Sequence, residues 1–64
     1  MITIKLGSRG TDVKTLQNKL NLAEDGIFDS ITEEAVKDFQ KSKNLTTDGI
    51  VGPKTWEALG IITA

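Results

Sequence analysis

Asp25-Gly26 and Asp48-Gly49 are the places where this sequence comes nearest to holding a hard cation. Each opens a related stretch, DGIFDSITEEAV at 25–36 and DGIVGPKTWEAL at 48–59, which agree at six of twelve positions with an offset of 23 residues. An Asp-Gly turn ahead of a helix matches the start of a calcium loop, where oxygens must close on the ion and the twelfth position is normally a bidentate Glu. With Gly26 as the sixth loop residue, the ligand positions fall on Asn21, Ala23, Asp25, Asp29 and Thr32. With Gly49 they fall on Asn44, Thr46, Asp48, Gly52 and Thr55. Ala23 brings no side-chain oxygen, and neither threonine can chelate as a carboxylate does. Both aspartates are read instead as turn formers, Asp accepting nearby backbone N–H groups and Gly supplying positive φ. No metal and no cofactor is expected.

A second possible chemistry is general acid–base work by Glu33, Glu34 and Asp38. A glycosidase needs two carboxyls flanking a cleft, about 5 or about 6.5–9.5 Å apart, one of them with its pKa raised by burial. These three share the convex surface of one helix and do not meet that demand. The sequence has neither Cys nor His, so the common zinc sites and catalytic triads are also excluded. The chain does not read as an enzyme.

Three helices would have to position these groups. Val13, Leu16 and Leu20 recur at helical spacing and predict a helix over 11–21, capped by Gly10 or Thr11, with Lys14, Thr15, Gln17 and Asn18 on its outer side. Ile31, Ala35, Val36 and Phe39 predict a second over 30–43, capped by Asp29 or Ser30, with Glu33 and Lys37 as an outward i, i+4 pair. Pro53 at a first helical position and Gly60 beyond the end frame a third over 53–59, whose inward face is Trp56 and Leu59. Ile27-Phe28 and Ile50-Val51 are apolar pairs expected to tuck inward ahead of the second and third helices. The fold class is all-α: a small three-helix bundle made of two homologous turn–helix units plus an N-terminal helix. It forms a single domain, 1–64, in which Phe39, Leu16 and Leu59 are expected to converge.

Bulk properties narrow the partners. Eight basic and nine acidic residues, a net charge of −1, leave no basic patch for nucleic acid and no polybasic membrane anchor. No apolar run approaches the ~20 residues of a membrane span. The MITIKL start is not a signal peptide, so a secreted parent would imply excision or another export route, as in a phage lysin.

Taken together, LGSRGTDVKTLQNKL, DGIFDSITEEAVKDFQKSKNL and DGIVGPKTWEALG resemble the three-helix peptidoglycan-binding domain found attached to bacterial and phage cell-wall hydrolases. The likeness runs from about Leu6 to Gly60. One departure is Asp29-Ser30, where the family usually has Gly-Pro; both pairs can start a helix. The resemblance implies a non-catalytic module, a monomer at the cell wall or outside the cell, that holds a fused hydrolase on glycan strands and stem peptides.

For such a ligand the candidate contacts are the cations Arg9 and Lys54, with Asp12 and Thr55 beside them, for a stem carboxylate. The neutral amides Gln17, Gln40 and Asn44 are candidates for glycan amides and hydroxyls. Trp56 is a stacking platform if exposed, although a chain with three aromatics can hardly spare it from the core. A protein-interaction or structural domain on the same scaffold is the alternative reading.

Overall fold

The computed structural model describes residues 2–61; the expected domain span, 1–64, runs past them at both ends. Among the described residues there are three helices and no strand longer than an isolated bridge: α1 (Thr11–Lys19), α2 (Ser30–Ser42) and α3 (Pro53–Ala58).

Helix starts differ and helix ends agree. Gly10 and Gly52 precede α1 and α3 without a side-chain cap, and Pro53 opens α3 where its missing N–H costs nothing. Asp29, not Ser30, caps α2: its Oδ1 accepts from the Thr32 N–H at 3.1 Å. Asn21 and Asn44 then take left-handed backbone, with φ of 59° and 58°. The N–H groups of Leu22 and Leu45 reach back to the carbonyls of Gln17 and Gln40, both at 2.8 Å. This is a Schellman stop, which satisfies carbonyls the helix leaves open. Gly60 and Ile61 close α3 in the same way, Ile61 N–H donating to Trp56 O at 3.0 Å.

Residues ahead of α1 lace the two units together. Ile4 exchanges both backbone hydrogen bonds with Val51, at 3.1 and 2.8 Å. Further along, Phe28 N–H donates to Ser8 O and Gly10 N–H to Gly26 O, at 2.9 and 3.0 Å. The N-terminal stretch is thus paired to the second turn through Ile4 and to the first through Ser8 and Gly10.

Ile4, Val13, Leu16, Phe28, Val36, Val51 and Trp56 form the buried core, with Leu20, Leu59 and Ile61 partly buried against it. Several expected packing roles change. Leu16 is central and Leu59 packs on the cluster, but Phe39 is only half-buried and lies outside it, with the Lys43 ammonium 6.0 Å from its ring centre. Ile31 is 69% exposed, because Thr32 takes the inward position at that end of α2. Within each apolar pair only the second member is inside: Phe28 and Val51 are buried, whereas Ile27 and Ile50 remain part-exposed. The Glu33–Lys37 pair forms as expected, at 3.9 Å.

Candidate functional site

The largest departure from expectation concerns the two glutamines. Gln17 is not on an outer face; both Gln17 and Gln40 are 1% exposed. Gln17 Nε2 donates to Asp25 Oδ1, Ile27 O and Thr32 Oγ1 at 2.8, 3.0 and 3.2 Å, while Oε1 accepts from Gly26 N–H at 3.0 Å. Gln40 Nε2 donates to Asp48 Oδ1, Ile50 O and Thr55 Oγ1 at 3.1, 2.9 and 3.2 Å, and Oε1 accepts from Gly49 N–H at 2.9 Å. A buried glycine N–H must face an acceptor, which fixes the orientation of each amide. Each glutamine therefore clamps the turn that follows its helix to the first turn of the next helix. Neither amide is available to a glycan.

The aspartates of the turns are equally engaged. Besides the glutamine, Asp25 Oδ1 accepts from Ile27 N–H at 3.0 Å and Asp48 Oδ1 from Ile50 N–H at 2.9 Å. The Ile27 N–H, and then the Gln17 amide, hold the Asp25 carboxyl below its usual 3.8, against a smaller opposing effect of burial. Oδ1 of each aspartate is thus committed to closing the turn.

Trp56 has no exposed surface, and its Nε1 donates to Ile2 O at 2.9 Å. It is core, so a sugar cannot stack on it. Thr55 is buried under Gln40 as the partner of Nε2. Asn44 is exposed, and its backbone is the left-handed stop of α2. No buried side-chain polar atom among the described residues lacks a partner. Any ligand is therefore met by surface groups.

Open grooves mark that surface among the described residues. The first, about 260 Å³, has Gln40 and Thr55 at its lining together with Leu45, Asp48, Ile50, Pro53 and Lys54. A second, about 380 Å³, continues along α3 past Glu57 and Ala58 and shares Leu45 and Lys54 with the first. The third, about 360 Å³, lies at the start of α1 and is lined by Ile2, Ile4, Ser8, Arg9, Thr11 and Asp12. The structure thus places Lys54 between two adjoining grooves and puts Arg9 with Asp12 in another; it gives Gln17 and Trp56 interior roles. Sequence reasoning missed the clamps, although a signal was present: Gln17 and Gln40 precede Asp25 and Asp48 by the same eight residues.

Comparison with known proteins identifies this arrangement. The chain is 39% identical to the N-acetylmuramoyl-L-alanine amidase CwlL of Bacillus licheniformis, over 95% of the chain and 19% of that protein. It is 37% identical to the zinc D-Ala-D-Ala carboxypeptidase of Streptomyces albus G, over 89% of the chain and 26% of the relative. The chain spans about a fifth to a quarter of the length of these curated relatives. Among solved structures, a Burkholderia AP3 phage endolysin superposes with a TM-score of 0.90 at 45% identity, covering 94% of this chain and 25% of that one. The N-terminal domain of SleB gives 0.87 at 34% identity, covering 91% of this chain and 88% of the other. The sequence profile of the putative peptidoglycan binding domain matches residues 9–59, from Arg9 to Leu59, and the chain belongs to that family.

Proposed function

We propose that this chain is a non-catalytic, monomeric module that binds peptidoglycan at the cell wall and holds a covalently attached hydrolase there. The observation that carries the reading is the coverage: the family match takes in nearly the whole fold, while about four fifths of the named amidase and about three quarters of the carboxypeptidase lie outside it. The chain, 1–64, is read as one domain. Tethering alone is useful on an insoluble polymer, because it raises the effective concentration of the attached enzyme even when each contact is weak.

Within that reading the ligand lies along the joined grooves around Lys54. Lys54 meets a stem-peptide carboxylate, Leu45, Ile50 and Pro53 supply apolar walls, and Asp48 and Glu57 face ligand N–H or ammonium groups. Arg9 and Asp12 form a secondary contact in their own groove. Trp56, Gln17 and Gln40 hold the scaffold and do not touch the polymer.

Pull-down of the isolated chain on purified cell-wall sacculi tests both levels. The wild-type chain is expected to be retained without clearing the suspension. Lys54→Ala should lower retention about 10-fold, the loss of one charge-assisted hydrogen bond of ~1.5 kcal/mol. Unchanged retention of a folded Lys54→Ala, Arg9→Ala double variant rejects the groove assignment. No retention of the wild type rejects the function.

A further inference from the structure

Asp25-Gly26 and Asp48-Gly49 share a chemical liability that the fold treats identically. Aspartate followed by glycine is the dipeptide most prone to spontaneous isomerisation, because glycine has no side chain to hinder attack by its own amide nitrogen. That nitrogen, losing its proton, forms a bond to Asp Cγ; one carboxyl oxygen leaves as water, and a five-membered succinimide results. Water then adds to either ring carbonyl, giving back aspartate or giving isoaspartate, in which the backbone runs through the side-chain carbon. The net change is an isomerisation: the water lost is regained, and no oxidant or co-reactant is required.

Both turns obstruct this step at the two atoms that must meet. Gly26 N–H and Gly49 N–H are buried and donate to Gln17 Oε1 and Gln40 Oε1 at 3.0 and 2.9 Å. Removing the proton would leave an amide anion facing a carbonyl lone pair. The carboxylate is fixed as well, since Oδ1 of each aspartate accepts both from the glutamine Nε2 and from the N–H two residues on. We infer that Asp25 and Asp48 are latent sites of spontaneous aspartate isomerisation, each held shut by the buried glutamine that clamps its turn. Modification then requires local opening of the clamp, and its rate follows the open population. Isoaspartate at either turn adds a backbone atom between residues whose spacing the glutamine measures, so the clamp cannot re-form around it.

The two turns are internal controls for each other. The chain is incubated at neutral pH and 37 °C, natively and in concentrated urea, and isoaspartate at positions 25 and 48 is quantified by peptide mapping. Native formation at both sites is expected to run at least ~10-fold below the rate in urea, as an opening equilibrium of more than ~1.4 kcal/mol dictates. Gln17→Met, which keeps the volume and removes the hydrogen bonds, should accelerate position 25 and leave 48 unchanged; Gln40→Met should do the reverse. Equal native and urea rates at either site overturn the inference, as does a folded Gln17→Met chain with no gain at 25. If both variants unfold, the native-to-urea ratio of the wild type decides alone.

Discussion

Gln17 and Gln40 lie 23 residues apart and make the same four hydrogen bonds, to an aspartate, a glycine N–H, an isoleucine carbonyl and a threonine hydroxyl. Their partners follow the same offset, Asp25 to Asp48, Gly26 to Gly49, Ile27 to Ile50 and Thr32 to Thr55. The repeat is thus a polar joint built twice. A satisfied buried network of this kind specifies one geometry, because any slip leaves several groups unpaired at once.

The first prediction follows directly. Gln40→Ala strands the buried Gly49 N–H and opens a cavity, and should cost about 2–4 kcal/mol. That is a large share of the roughly 3–10 kcal/mol available to a chain of this size. Gln40→Glu should be worse at neutral pH, where it sets a carboxylate against Asp48, and should recover as pH falls and the new group takes a proton. Urea midpoints at pH 7 and pH 4.5 measure both effects.

Trp56 offers a separate test of where the ligand is not. Trp56→Phe keeps an aromatic ring in the core but leaves Ile2 O without its donor, and should cost about 1–3 kcal/mol. Retention of the folded variant on sacculi should match the wild type. In the wild-type chain, tryptophan emission should not shift when soluble peptidoglycan fragments are added. A shift, or a lost interaction in Trp56→Phe, would return the indole to the binding surface.

Asp25 predicts an acid limb. Its folded carboxyl keeps its charge more tightly than the unfolded one near 3.8, so its contribution is fully present above that value. It disappears as pH falls through the lower folded value. Asp25→Asn retains the acceptor oxygen and removes the titration. The gap between wild-type and variant urea midpoints should therefore be constant from pH 7 to about pH 5 and shrink below about pH 4. A gap that widens in acid contradicts the assignment.

Two glycines with the same backbone demand should respond differently to alanine. Gly60, with φ +87°, has no neighbour within 4 Å of an added Cβ. Gly49, with φ +76°, would bring that carbon to 3.0 Å from Glu33 Cγ and 3.1 Å from Lys37 Cε. Left-handed strain of about 1 kcal/mol applies to both. Only Gly49→Ala must also displace the Glu33–Lys37 pair, so its thermal midpoint should fall further than that of Gly60→Ala.

Helix number, order and starts are legible in the sequence, each helix ending one or two residues before the expected position, since caps, Pro53 and the helical spacing of Val13 and Leu16 act locally. Phe39 shows where that reasoning stops. It occupies the register of Leu16 one unit on, but spacing around a helix gives direction only, not whether another element covers that spot. Gln17 fails for a different reason. Amphipathic patterning assigns polar residues to solvent, and a buried amide is intelligible only together with partners eight to fifteen residues away. Extending the comparison of the repeats upstream of Asp25 and Asp48 would have paired the two glutamines and exposed their common purpose. Lys54 and Arg9 stand out in the sequence as cations beside the starts of the third and first helices, and their grooves depend on how α3 and the first residues fold back.

Trp56 also has a topological effect. Its indole secures Ile2 and its backbone carbonyl receives Ile61 N–H, so one residue holds positions from opposite ends of the described chain. Attachments upstream of Ile2 and downstream of Ile61 would thus both begin from a residue held by Trp56. Splicing those ends through a short glycine bridge and cutting the chain at Glu24 should preserve the architecture, with polypeptide order rewritten and shape retained.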